Sequence, residues 1–255
     1  MRPYVLTETN WKSVSETDFG TAVLPWGAIE AHNTHLPYGT DNIQLDRIAS
    51  DACAVAWEQG ARCIALPTVP YGVNTGQYDI KLDLNMMPST QQALLGDIAH
   101  ALEGQNLLKL VVLNGHGGNN FRQMIREVGY RYPKLFICEI NWFKVIDATP
   151  YFEDPGDHAG ELETSLILEI APELALPLDQ AGSGAARPWA IAGLNEGWAW
   201  AERRWSEVTE DTGVGDPRAA SKAKGKLFLD AVTQKIGRFL AELDSTPINS
   251  IYKRL

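Results

Sequence analysis

Four of the five histidines in this 255-residue chain fall in three short clusters that are also rich in carboxylates and glycine. The first cluster is Gly27-Ala28-Ile29-Glu30-Ala31-His32-Asn33-Thr34-His35-Leu36-Pro37-Tyr38-Gly39-Thr40-Asp41. The second is Asn114-Gly115-His116-Gly117-Gly118-Asn119, and the third is His158-Ala159-Gly160-Glu161-Leu162-Glu163. Imidazole and carboxylate together form the ligand set of a divalent cation such as Zn, Mn or Fe. Distant segments that each offer such groups beside small, turn-forming residues point to one metal site assembled in space.

Each cluster also has a plainer reading. Glu30 and His32 stand at i and i+2, which in an extended segment project to the same side. Asp41 follows where Thr40-Asp41 opens a helix. It serves either as a simple N-cap or as a carboxylate that the helix N-terminus stabilises while one oxygen turns to a cation. His35 is either a structural hydrogen-bonding group or a support for a ligand. Around His116, three glycines in four positions are not core packing; glycine lets backbone turn sharply and approach a ligand closely. A phosphate loop is the rival there, but no Walker lysine follows and no G-x-G-x-x-G spacing occurs. In a helix that starts near Gly160, Glu161 and Glu163 point about 200° apart. One of them is then a ligand or base and the other a favourable first-turn charge. His100, mid-helix and outside any acidic motif, reads as an ordinary surface or core residue.

His32, His116, Glu30, Asp41 and one helix-borne Glu are too many ligands for a single catalytic zinc, which takes three and leaves a position open. Two ions about 3.5–4 Å apart, sharing one carboxylate and one water, use this number well. Asp41 is the carboxylate best suited to bridge them.

The frame for these clusters is legible in the hydrophobic pattern. Apolar runs at 21–25, 62–66, 108–113 and 135–140 read as buried strands, and helical spacing covers 42–58, 89–102, 120–130 and 162–170. Ser89 is expected to cap the second helix, and Asp216 with Pro217 to open a long final helix. The alternation predicts an α/β fold, a three-layer α/β/α sandwich with a mainly parallel central sheet, in one domain spanning 1–255. Ligands of such sheets bind beyond the carboxyl ends of the strands. Glu30 and His32 follow the first strand, His116 the third, and His158 comes after the fourth. Residues 172–215 are irregular and carry Trp189, Trp198, Trp200 and Trp205, which read as a pocket cover, a subunit contact or ordinary core aromatics. Tyr71-Gly72-Val73-Asn74-Thr75-Gly76 follows the second strand at the same sheet edge, and Tyr71 is expected to line the substrate site.

Composition narrows the class. Hydrophobic content of 45% and charged content of 21% are ordinary for a globular protein. A net charge of −10 argues against a nucleic-acid partner, which clustered Lys and Arg would serve. No stretch approaches the ~20 apolar residues of a membrane span, and no apolar region behind Met1 suggests a signal peptide. Cys53, Cys63 and Cys138 form no C-x-x-C pair, against a zinc ribbon or disulfide framework. The expected location is the reducing cytoplasm.

The motifs resemble those of the creatininase (creatinine amidohydrolase) family. The segments that carry the likeness are Gly27-x-x-Glu30-x-His32-x-x-His35-Leu36-Pro37-x-Gly39-Thr40-Asp41, Asn114-Gly115-His116-Gly117-Gly118-Asn119 and His158-Ala159-Gly160-x-x-Glu163-Thr164-Ser165, with a late echo in Gly213-Val214-Gly215-Asp216-Pro217. The resemblance implies a dinuclear centre of two divalent metal ions, hydrolysis of a non-peptide C–N bond in a cyclic or linear amide, and a ring-like homo-oligomer, commonly a hexamer. It implies Glu30, His32, Asp41, His116 and Glu163 as metal ligands, Asp41 bridging, and His158 as the proton-transfer residue. Gly117 and Gly118 stand where the creatinine-hydrolysing member has bulky and acidic residues. Asp154-Pro155-Gly156-Asp157 replaces that member's Trp-Asp pair. Both departures turn the expectation away from creatinine, towards the branches that deformylate pyrimidine intermediates or process the mycofactocin peptide. Gly117 and Gly118 are expected to border the substrate.

The expected chemistry is amide hydrolysis by a water that two cations acidify from about 15.7 towards ~7, with His158 delivering a proton to the leaving nitrogen. The rivals are a non-catalytic protein that keeps the metals as structure, and a phosphate-ester hydrolase drawing on Arg47 or Arg122.

Overall fold

The computed structural model describes residues 1–253. Four strands, β1 (Thr21–Trp26), β2 (Cys63–Ala65), β3 (Lys109–Asn114) and β4 (Phe136–Asn141), form one sheet in the order β2-β1-β3-β4. Every pairing is parallel, with Val23 opposite Ala65 and Val111, and Val111 opposite Cys138. The helices are α1 (Trp11–Ser15), α2 (Thr40–Glu58), α3 (Pro88–Gly104), α4 (Arg122–Arg131), α5 (Glu161–Ile170), α6 (Ala192–Asn195), α7 (Trp205–Val208) and α8 (Lys222–Ser245).

The period of two along the strands builds the layers. Val23, Val111 and Leu113 face one core with Leu45, Ile48 and Ala52 of α2 and Leu229, Val232 and Ile236 of α8. Ala22, Leu24, Leu110 and Val112 face the opposite core with Leu95 and Ala99 of α3 and Met124 and Val128 of α4. Strands buried on both faces are continuous apolar runs, as parallel sheets require. The α/β/α sandwich expected from the pattern is the observed fold.

Three helix starts differ from the expectation. Helix α2 begins at Thr40, so Asp41 lies inside its first turn and Gly39 holds the cap position. Helix α3 opens on Pro88 with Met87 as cap residue, not on Ser89. Asp216 accepts the N–H of Arg218 but caps only a 3₁₀ turn, Pro217–Ala219. The long helix starts at Lys222, where the Ser221 side chain accepts the N–H of Lys224. Ser221 wins because its own N–H is held by Ser165 Oγ of α5, 3.1 Å away, so the chain must first straighten to dock.

No helix among the described residues is long and apolar enough to cross a membrane.

Candidate metal centre

The carboxyl ends of β1 and β3 lie side by side, Trp26 opposite Asn114. The segments that leave them bring Glu30, His32 and His116 to one place, and the first turn of α2 adds Asp41. These four side chains are 0–5% exposed. Glu163, on the first turn of α5, joins them with a side chain 17% exposed. Three groups of potential ligands result, Glu30–Asp41–His116, His32–Asp41–Glu163 and Glu30–His32–His158, each with donor atoms within 4.8 Å of one another. Asp41 belongs to the first two. Its Oδ1 is 3.1 Å from His32 Nε2 and its Oδ2 is 3.3 Å from His116 Nδ1.

Main-chain carbonyls fix both imidazoles. His32 Nδ1 donates to the Glu30 carbonyl and His116 Nε2 donates to the Val73 carbonyl, each at 3.0 Å. The opposite nitrogens therefore turn to the carboxylates, the arrangement in which an outer hydrogen bond orients a metal-binding histidine. Val73 is fixed in turn, because its N–H donates to Asn119 Oδ1 at 3.0 Å. Asn119 also receives Gln91 Nε2 and donates to Asn114, whose Oδ1 accepts the His116 N–H. This buried amide network is the structural content of the Asn-rich second motif.

The charges call for a cation. Burial disfavours ionised Glu30, yet the imidazoles of His116 and His158 outweigh it and hold the carboxyl well below its usual range. Burial opposes charge on His32 too, but Asp41, Glu163 and Glu30 drive its pKa up to about 10. His116 is raised for the same reason, by Glu30 and Asp41 against burial. Burial, aided by Asp41, raises Glu163. Three packed carboxylates thus draw protons onto the two imidazoles that face them. Among the described residues Asp41 Oδ2 still has no hydrogen-bond partner, although buried. An orphaned carboxylate oxygen among nitrogen and oxygen donors fits a divalent ion, because buried charge needs a counter-charge.

His158 is 8% exposed and stacks beside His32 at 4.2 Å between ring centres. Its Nδ1 is 3.9 Å from Glu30 Oε1. The edge of Trp205 closes its other side, 5.2 Å between centres at 84°. Pairing with a later loop fixes its backbone, since the His158 N–H donates to the Val214 carbonyl at 3.0 Å and the Val214 N–H returns to the His158 carbonyl at 2.8 Å. Glycine permits this approach: a Cβ on Gly215 would lie 2.4 Å from Gly156 Cα, and Gly215 has φ +118°. Ala159, the next residue, takes φ 51°, uncommon for a side-chain-bearing residue, and aims its N–H at Glu163 Oε2, 2.6 Å away.

Glu161 has a different role from Glu163. It is fully buried, bonds Lys224 Nζ of α8 and accepts the N–H groups of Glu153 and Asp154. It is therefore an interior anchor rather than a solvated first-turn charge. His35 bonds Thr164 Oγ1 at 2.9 Å, which ties the first motif to α5. His100 is exposed beside Tyr132. Arg47 pairs with Asp51 at 2.6 Å.

A cleft of about 560 Å³ opens from Glu30, His116 and His158 towards Arg122, Lys144 and Trp200. A smaller cavity of about 200 Å³ shares Glu30, Gly117 and His158 with it and is lined also by Asp41 and Glu163. Gly117 and Gly118 border the main cleft. Tyr71 does not border it, because the Tyr71 carbonyl accepts the Trp26 indole N–H while the side chain is 42% exposed. Val73 to Gln77 line it instead. The Trp-rich stretch is an excursion whose ends meet: Gly215 N–H donates to the Gly184 carbonyl at 2.9 Å. From it, Glu202 bonds Thr75, Arg203 pairs with Asp157 at 2.7 Å, and Ser206 bonds Asp79. Of these contributors, Gln77 carried no sequence signal, while Trp205 was marked only as one of four tryptophans with three open readings; the short turn that holds the first and the short helix α7 that opens on the second are placed by the fold alone.

Comparison with known proteins agrees with this geometry. The family model described as creatinine amidohydrolase matches residues 7–240. A Bacteroides fragilis NCTC 9343 crystal structure, provisionally described as a creatinine amidohydrolase, superposes with a TM-score of 0.92 at 40% identity, over 97% of this chain and 99% of that one. A mutant creatininase of the Zn-Zn type shares the fold, with a TM-score of 0.73 at 21% identity over 94% and 97% of the two chains. The fold is also solved as a manganese creatininase. A Mycobacterium tuberculosis mycofactocin precursor peptide peptidase is 26% identical over 248 residues, 87% of this chain and 86% of its own length.

Proposed function

This chain belongs to the creatininase family, and on that premise we propose that it is a dinuclear metal-dependent amidohydrolase. The observation that carries the reading is the carboxylate of Asp41, which gives one oxygen to each of two buried ligand groups. Glu30 and His116 would hold one ion with Asp41, and His32 and Glu163 the other. Such ions supply an acidified water and polarise an amide carbonyl; zinc and manganese are the metals named for creatininase structures of this fold.

The chain's own residues supply the rest. His158 presents Nδ1 to the cluster, so that atom takes the proton from water and passes it to the leaving nitrogen. Trp205 and the Val214 pairing hold the ring in register for both transfers. Gly117, with open space where a Cβ would stand, leaves room for the amide beside His116.

The substrate is a small-molecule amide other than creatinine itself. Asp154-Pro155-Gly156-Asp157 offers no aromatic wall before His158. A peptide amide is the second reading, favoured by the cleft of about 560 Å³, far larger than a formyl group fills, and by the peptide peptidases among the relatives. We also propose a homohexamer in which neighbouring subunits cover Trp198 and Trp200, exposed by 77% and 87%.

The test is a screen of protein reconstituted with zinc or manganese against N-formyl compounds, small cyclic amides, creatinine and short peptides. Hydrolysis of a formyl, cyclic-amide or peptide substrate, lost on chelation, supports the reading, and turnover of creatinine in preference to the others contradicts the substrate assignment. A metal-loaded protein that cleaves none of them contradicts the reading itself.

A further inference from the structure

We propose that Gln77 is a positioning residue that sets which oxygen Glu30 offers to a cation, and thereby the affinity of one metal position out of two. The inference rests on the dinuclear reading above and adds a residue that no motif contains.

Gln77 is 7% exposed and its Nε2 donates to Glu30 Oε2. That leaves Glu30 Oε1 as the oxygen facing the cluster, 2.7 Å from His116 Nδ1 and 4.0 Å from His32 Nε2. A carboxylate with one oxygen bound to a fixed donor ligates through the other, so Gln77 holds Glu30 to one-point attachment. Three of the other candidate ligands are steadied by main-chain groups: His32 by the Glu30 carbonyl, His116 by the Val73 carbonyl, Glu163 by the Ala159 N–H. For Glu30 the corresponding support is a side chain from another segment. It is also neutral, and so adds no fourth negative charge to three packed carboxylates.

The support is itself anchored. Gln77 ends the 3₁₀ turn Thr75–Gln77, and its N–H donates to the Asn74 carbonyl at 2.9 Å. Asn74, 2% exposed, donates through Nδ2 to the carbonyls of Ile29 and Leu84 at 3.1 and 3.2 Å. The turn is thus fastened to the residue just before Glu30. Of the two groups that share Asp41, Glu30 enters only the one with His116, so the effect belongs to that position.

The test uses metal-free protein titrated with Zn²⁺ against a chromophoric chelator. Wild type is expected to take two ions. Gln77→Met, of equal length but with no donor, is expected to bind one of them about 10–100-fold more weakly and the other as wild type does. Gln77→Asn, which withdraws the amide, is expected to weaken the same ion. The melting temperature of each metal-free variant separates this from a folding lesion, which would weaken both ions together. Two ions held at wild-type affinity by Gln77→Met, or both weakened equally with a lowered melting temperature, would overturn the inference alone. Wild type that takes up no zinc would overturn the dinuclear reading and this inference with it.

Discussion

His158 Nε2 donates to the main-chain carbonyl of Ala31, 2.8 Å away, and Ala31 is the residue between Glu30 and His32. The tautomer of the proposed proton carrier is therefore set by the segment that carries two proposed ligands. Replacing the ring should leave that segment, and the ions, in place. His158→Ala is expected to retain two metal equivalents while kcat falls about 10²–10⁴-fold. Wild-type turnover in this variant would remove His158 from the mechanism.

Asp41 is the shared carboxylate, so its loss should not be confined to one position. Asp41→Ala is expected to lose both ions, measured by elemental analysis after gel filtration. Two retained equivalents would contradict the bridge.

Glu161 and Glu163 are two residues apart yet predict opposite phenotypes. Glu161→Ala strands Lys224 and the N–H groups of Glu153 and Asp154. Because the Lys224 side chain is 28% exposed, the expected cost in urea unfolding is about 2–3 kcal/mol, below that of a fully buried pair. Metal content should not change. Glu163→Ala should show the reverse, one ion lost with little change in metal-free stability.

The paired glycines of the second motif are not equivalent. A Cβ on Gly118 would stand 2.3 Å from the Val73 carbonyl oxygen and 2.5 Å from His116 Nε2, in the bond that orients His116. Gly118→Ala is expected to cost about 1–3 kcal/mol of stability and to weaken zinc binding. Gly117 has nothing within 4 Å of such an atom. Gly117→Ala should fold within about 0.5 kcal/mol of wild type, and its effect should appear as a raised KM.

His35 supplies the pH dependence. Burial first, and the charge of His32 second, lower its pKa from 6.5 to about 4. A depressed folded-state value means that its contribution is present above pH 6.5 and is lost as pH falls through 4. The upper bound on that loss is about 3 kcal/mol. Its ring NMR shifts should stay flat from pH 8 to pH 5. His35→Gln, which can still bond Thr164, should flatten the fall in stability between pH 6.5 and 4. A His35 that titrates near 6.5 would show the shift to be absent.

The strands and the three motifs were legible because both are written in short-range pattern. A buried parallel strand is a run of apolar residues, and a backbone that approaches a ligand closely is a run of glycine. What was not legible depends on residues far apart in sequence. Glu161 looks like a first-turn charge until Lys224, 63 positions later, is brought to it. Asp216-Pro217 and Ser221 both satisfy the chemistry of a helix start, and the contact of Ser221 with Ser165 decides between them. Tyr71 sits at the expected edge, but its carbonyl, not its ring, meets the interior. The neighbouring Gln77 faces Glu30 because of a turn that no composition announces.

The excursion that leaves at Gly184 and returns at Gly215 has consequences for how such a scaffold diversifies. Its two ends are already hydrogen-bonded, so exchanging the residues between them costs little more in chain entropy than a change of length. The outer wall of the cleft, with Trp200 and Arg203, could thus be rewritten by grafting while Trp205 and Val214 are kept against His158 and the sheet and carboxylates beneath stay untouched. A lineage built this way can try new molecules without rebuilding its catalyst.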